Sequence, residues 1–307
     1  MELAESLRLT GIITQIIASN APVVDYTVEE IEQARKGYTE EKLRELQNDG
    51  YYNGDFELFY VLKRFCDDID LWKNADEVYI KKLFANAKRL GKDYFYADEY
   101  LKNIKIPDVK KDNTLLLNVS YDKGELLQYD MPELDSDIVV PKLAFFDEKV
   151  FFPSVYEGNM PWVSVCPSEI NSMGLDIDKA NGRCLVLGLG LGYYPYMISL
   201  SDKVKSITVV EINEKIIDLF KTYILPQFEH KDKIKIVHAD ALEYMKQVER
   251  DEYDFCYADI WEGQEDGAIA YSQIKPHEKR LPYTRFAYWI EKEIRWYLLN
   301  MSENEVE

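Results

Sequence analysis

The chain has 307 residues, enough for one large domain or two ordinary ones with a full core. Its net charge is −19 and its pI about 4.7, with no lysine- or arginine-rich run, which argues against a nucleic-acid partner and for a small molecule or a protein, to which an acidic field is attractive if it is cationic. Cys66, Cys166, Cys184 and Cys256 lack paired or metal-type spacing and His230, His238 and His277 form no ligand pattern, so reduced thiols, a cytoplasmic location and no metal are expected.

Residues 1–106 read as a helical N-terminal region. Glu2 and Glu5 precede a short apolar run, against a signal peptide, and no apolar stretch reaches the length of a bilayer span. Leu3, Leu7, Ile12, Ile13, Ile16 and Ile17 recur at helical spacing until Asn20 and Pro22. Thr27 with Glu30 forms a capping box opening a helix to Lys36, and Thr39 caps another that Gly50 ends. Further helices follow over Phe56–Phe65 and Glu77–Arg89, the latter with Val78, Ile80, Leu83 and Phe84 facing inward. The aromatic stripes here read as core packing.

From 107 to 160 the pattern becomes that of a small antiparallel β layer. Thr114–Tyr121 is a strand, Asp122-Lys-Gly124 a turn and Glu125–Tyr129 its hairpin return, followed by short strands at 138–140, 143–146 and 150–152. Pro161–Ser168 is a loop, and Ser168 caps a short helix, Glu169–Met173.

Residues 161–307 form the third region, organised around Arg183-Cys-Leu-Val-Leu-Gly-Leu-Gly-Leu-Gly192. An apolar run ending in alternating glycines reads as a buried parallel strand turning sharply into a helix. A dinucleotide fingerprint needs G-x-G-x-x-G, but position 193 is Tyr193. A second buried strand ends at Glu211 with Ile212 beside it, nineteen residues past Gly192 and within reach of two ribose hydroxyls. A third strand leads to Asp240 and Ala241, where Asp240 also suits a helix N-cap. A fourth ends in Asp259-Ile-Trp-Glu262, at the strand ends where open α/β sheets bind ligands.

The G-x-G-x-G spacing, with acids at three successive strand ends, resembles the class I S-adenosylmethionine-dependent methyltransferase superfamily and its spermidine synthase-like branch. The resemblance covers roughly residues 160–262. It implies an α/β, Rossmann-like class I methyltransferase domain, preceded by the helical region and the β layer. It further implies that Gly188, Gly190, Gly192, Glu211, Ile212, Asp240, Ala241, Asp259 and Trp261 bind S-adenosyl-L-methionine, Glu211 on the ribose and Asp240 on the adenine. Asp259 and Glu262, in the place of the branch's D-x-x-D pair, become the catalytic residues. Trp261 serves either packing or ligand contact.

Three departures stand beside the resemblance. Val186 occupies a position where many methyltransferases carry an acid, and Ile170-Asn-Ser172 stands where spermidine synthases have Tyr-His-Glu. The 45 residues after Glu262 read as loop, a basic segment over 275–280 and a helix over Thr284–Leu299, giving a truncated C-terminal sheet whose open edge suggests a homodimer or a covering segment. The expected function is methyl transfer to a small molecule or protein. The alternatives are spermidine synthase-like aminopropyl transfer and a non-catalytic cofactor-binding or structural protein.

Overall fold

The computed structural model describes residues 2–18, 26–135 and 138–304, so the expected helix stop at Asn20 and Pro22 lies outside the described residues. The chain divides into two compact units, Met1–Phe95 with Ser120–Phe151, and Tyr96–Val119 with Phe152–Glu307. The stretch expected as one β layer at 107–160 is therefore shared between them.

In the first unit, helices Leu3–Ala18, Phe56–Asp68 and Glu77–Asn86 enclose a core of Ile13, Val61, Leu62, Phe65, Tyr79 and Leu83 with Val140, Leu143 and Phe145. The Thr27–Glu30 capping box is formed. A buried polar seam ties the first helix to the core strand: Thr10 Oγ1 donates to the Val139 carbonyl at 2.7 Å, and the Val139 N–H donates to Ser6 Oγ at 3.0 Å.

Several local expectations need correction. The expected 77–89 helix ends at Asn86, because Ala87 turns to extended backbone and Lys88–Leu90 pairs in parallel with Ala144–Phe146. Val78 is 53% exposed, and Tyr79 takes its inward place. Thr114–Tyr121 and the following strand do not form a hairpin. Leu127–Leu134 pairs instead with Val139–Phe146, burying Leu126, Leu127 and Tyr129, while Thr114–Tyr121 joins a four-stranded sheet with 109–111, 150–157 and 160–164.

The second unit holds five parallel strands: β1 (Gly182–Leu187), β2 (Val204–Glu211), β3 (Ile234–His238), β4 (Phe255–Ala258) and β5 (Arg285–Tyr288). Their order is β3-β2-β1-β4-β5, a Rossmann-like arrangement in which the chain reverses direction across the sheet beside β1. Its main helices are α1 (Pro167–Ile177), α2 (Tyr193–Ser199), α3 (Glu214–Leu219), α4 (Ala241–Gln247), α5 (Gln264–Ile274) and α6 (Glu291–Asn304). Cys184 to Leu187 and Phe255 to Ala258 are fully buried, as central parallel strands require.

β5 corrects the expected helix over 284–299. Arg285–Tyr288 pairs along β4, Ala287 and Tyr288 are buried, and only then does α6 begin. The Thr284 hydroxyl donates to the Tyr253 carbonyl at 2.7 Å, fixing the strand's entry. The sheet is therefore one strand wider than the expected truncation, and no closing hairpin follows among the described residues. Similarly, α1 runs beyond 169–173, with Cys166 at its N-cap and Pro167 in its first turn in place of a Ser168 cap.

Candidate active site

Parallel strands end together, and register fixes what meets there. Leu187 lies opposite Val210 on one side and Ala258 on the other, so the next residues, Gly188, Glu211 and Asp259, arrive at one edge. The Gly188 N–H donates to Val210 and the Asp259 N–H to Leu187, extending the ladder one step into the turns. Gly188 has φ +98°, and a Cβ there would collide with the Asp259 carbonyl. Only glycine lets these two strand ends approach so closely.

Above this edge lies a cavity of about 570 Å³, wholly within the second unit. Gly188, Gly190, Glu211, Ile212, Asp240, Ala241, Asp259, Trp261 and Glu262 all line it. Gly192 does not. It sits behind the turn as the residue capping α2, with φ +76° and the Phe220 ring where a side chain would go. Its role is to shape the turn.

Glu211 is buried, and each carboxylate oxygen accepts one backbone N–H: Leu189 at 3.0 Å and Asn213 at 2.7 Å. A carboxylate has about four acceptor positions, so these bonds orient it and leave capacity for vicinal hydroxyls. Asp240 caps α4, accepting from Leu242 and Glu243 through Oδ1 alone, which leaves Oδ2 for a ligand donor. The two readings of Asp240 are thus compatible. Ile212 is 63% exposed at the mouth.

At the other end stands Asp259, whose carboxyl is held well above the usual range by burial and by the nearby charge of Glu169. Glu169, on the first turn of α1, accepts from the Ser164 N–H at 3.1 Å and Ser164 Oγ at 3.2 Å. Burial outweighs those bonds and pushes its pKa up to about 7. Two acids that repel in a shielded site cannot both ionise easily. Glu262 is exposed at the rim, where its N–H and that of Gly263 donate to Asp266, capping α5.

Sequence reasoning missed Glu169, Tyr257 and Trp289 as lining residues. Ile170-Asn-Ser172, the positions that stand against the Tyr-His-Glu run, begin one residue past Glu169. Tyr257 lies two residues before Asp259 on a strand, the same-face spacing that could have found it. Trp289 follows β5, which was itself misread; its indole N–H donates to Ser172 Oγ at 2.8 Å. Behind the glycine turn, Tyr100 donates to the Leu191 carbonyl and Tyr193 donates to Asp98, bracing it from residues 98–100.

Every ionisable head group among the charged residues lining the cavity is acidic: Glu169, Glu211, Asp240, Asp259, Glu262 and Asp266, with no lysine, arginine or histidine. Nor do the described residues place three or more metal-type ligands together.

Residues 166–272, about a third of the chain, match the family model for the spermine/spermidine synthase domain. No curated protein matches the chain. Among solved structures it is similar to a precorrin-8w decarboxylase from Methanobacterium thermoautotrophicum, at 15% identity, 39% of this chain, 61% of that chain and a TM-score of 0.30. It is also similar to the spermidine synthase from Thermotoga maritima, at 14% identity, 41% and 49% coverage and a TM-score of 0.31. A spermidine synthase in complex with the transition-state analogue AdoDATO aligns at 12% identity, 46% and 52% coverage and a TM-score of 0.32. The chain thus spans between 49% and 61% of the length of these structures. The matched segment runs from the N-cap of α1 into α5, and so takes in β1 to β4 with the turns that line the cavity.

Proposed function

We propose that the cavity binds an S-adenosyl sulfonium and serves alkyl transfer to an amine, in the manner of an aminopropyltransferase. The observation that carries this reading is the wholly acidic set of charged residues around the cavity. S-Adenosylmethionine brings a carboxylate, which finds no cationic side chain there, whereas its decarboxylated form brings two positive charges and no negative one. The match of residues 166–272 to the spermine/spermidine synthase domain supports the same choice.

The residues fit such a nucleoside. Glu211 has acceptor capacity for the ribose hydroxyls and Asp240 Oδ2 for the adenine amino group. Trp261 and Tyr257 both line the cavity, and the Trp261 Nε1 and the Tyr257 hydroxyl are buried without a partner in the structure. The sulfonium supplies an electrophilic carbon and a neutral thioether leaving group. Asp259 takes the proton of the attacking amine, and Glu169 sets how readily it does so. Trp261 walls the site against water.

A second reading, methyl transfer from S-adenosylmethionine, draws on one observation. Ile170-Asn-Ser172 replaces the Tyr-His-Glu run, and Ser172 is engaged with Trp289. Calorimetric titration decides between the two. Decarboxylated S-adenosylmethionine is expected to bind about tenfold more tightly than the carboxylated form, and Glu211→Gln to weaken both. Equal or tighter binding of the carboxylated form transfers the proposal to methyl transfer, and binding of neither removes it.

A further inference from the structure

Tyr257 is the most confined polar side chain at the cavity. Its residue is 0% exposed and its hydroxyl has no hydrogen-bond partner. One face of its ring is covered by Tyr194, stacked at 3.7 Å between centroids with 7° between planes. Tyr194 is itself spoken for, donating to the Asp176 carbonyl at 2.9 Å. Tyr257 pairs in register with Val186, so the cavity reaches below the glycine turn, along the sheet face that also carries Asp259. The phenol lies within the influence of the Asp259 and Glu169 charges. A buried hydroxyl left without a partner costs stability.

We infer that Tyr257 is a substrate-binding residue: its hydroxyl, together with the Glu169 and Asp259 carboxyls of the same cavity, holds the amine nitrogen of the acceptor. The inference rests on the proposed function for the identity of the ligand. The chemistry of the pocket is its own argument. A primary ammonium has three N–H donors, and Tyr257, Glu169 and Asp259 each bring an acceptor to a cavity lined by no cationic side chain. Met173 and Val186 line the same cavity and suit an alkyl chain behind that nitrogen. A carboxylate or phosphate would meet repulsion from both acids.

The test is Tyr257→Phe in the full chain, read by melting temperature and by calorimetric titration with 5′-methylthioadenosine and, in its presence, with 1,4-diaminobutane. Removing an unpartnered hydroxyl leaves the melting temperature unchanged or raised. Affinity for 5′-methylthioadenosine stays within about twofold, and affinity for the diamine falls about tenfold or more, the scale of a hydrogen bond to a charged group. Undiminished diamine affinity in the variant overturns the inference and leaves the proposed function standing. A lowered melting temperature with both affinities reduced also overturns it, because the hydroxyl then serves the fold. A wild-type protein that binds neither ligand removes the proposed function and the inference together.

Discussion

Glu169 is where a single side chain sets the pH behaviour of the site. Its pKa rises from 4.5 to about 7 on folding because burial disfavours the charge. The folded protein therefore keeps a proton that the unfolded chain releases, so this contribution to stability is intact below about pH 4.5 and lost as pH rises through about 7. Asp259 acts with the same sign. Glu169→Gln keeps an acceptor for Ser164 and removes the titration. Its melting temperature should exceed the wild type's at pH 8, by the equivalent of about 1–3 kcal/mol, and the difference should vanish at pH 4. A wild-type curve that rises between those limits refutes the assignment. A bound diamine reverses the balance by favouring both carboxylates, so binding at pH 7 releases protons. Titration in buffers of different ionisation enthalpy measures that release directly.

Among the elements, the turn from β1 to α2 bears the tightest constraint. Gly192 combines φ +76° with the Phe220 ring at the place a Cβ would occupy. Gly192→Ala should cost about 2 kcal/mol or more, seen as a lower urea midpoint, and weaken nucleoside binding only through the displaced turn. That turn was legible in the sequence because it depends on local chemistry. The Thr27–Glu30 box was legible for the same reason. What stayed hidden depended on distant partners. Arg285–Tyr288 is four residues long and becomes a strand by lying along β4, with Thr284 bonded to Tyr253, thirty-one residues away. The expected hairpin failed likewise: Leu127 and Tyr129 are buried where their strand pairs with Val139–Phe146, a partner beyond the reach of a local reading. At the site, the acids at the strand ends were readable from spacing. Glu169 and Tyr257 were not singled out because their meaning comes from the cavity they share.

For the whole molecule, charge is the property that reaches furthest. A net −19 draws small cations toward the protein before any specific contact forms. Association of a diamine should therefore slow several-fold between about 20 mM and about 0.5 M salt as the field is screened, with dissociation changing much less. Stopped-flow measurement of both rates checks this, and a salt-independent association rate would show that the field contributes nothing. No described helix is long and apolar enough to cross a membrane. The chain contains five tryptophans, and Trp162, Trp261 and Trp289 all line the one cavity. The site is consequently its own optical probe. Excitation of the indoles reports chiefly on that chamber, and the surroundings of the three lining indoles change when a ligand fills it. A shift in emission on adding 5′-methylthioadenosine, smaller in Trp261→Phe, would let occupancy be followed by light alone, without a label.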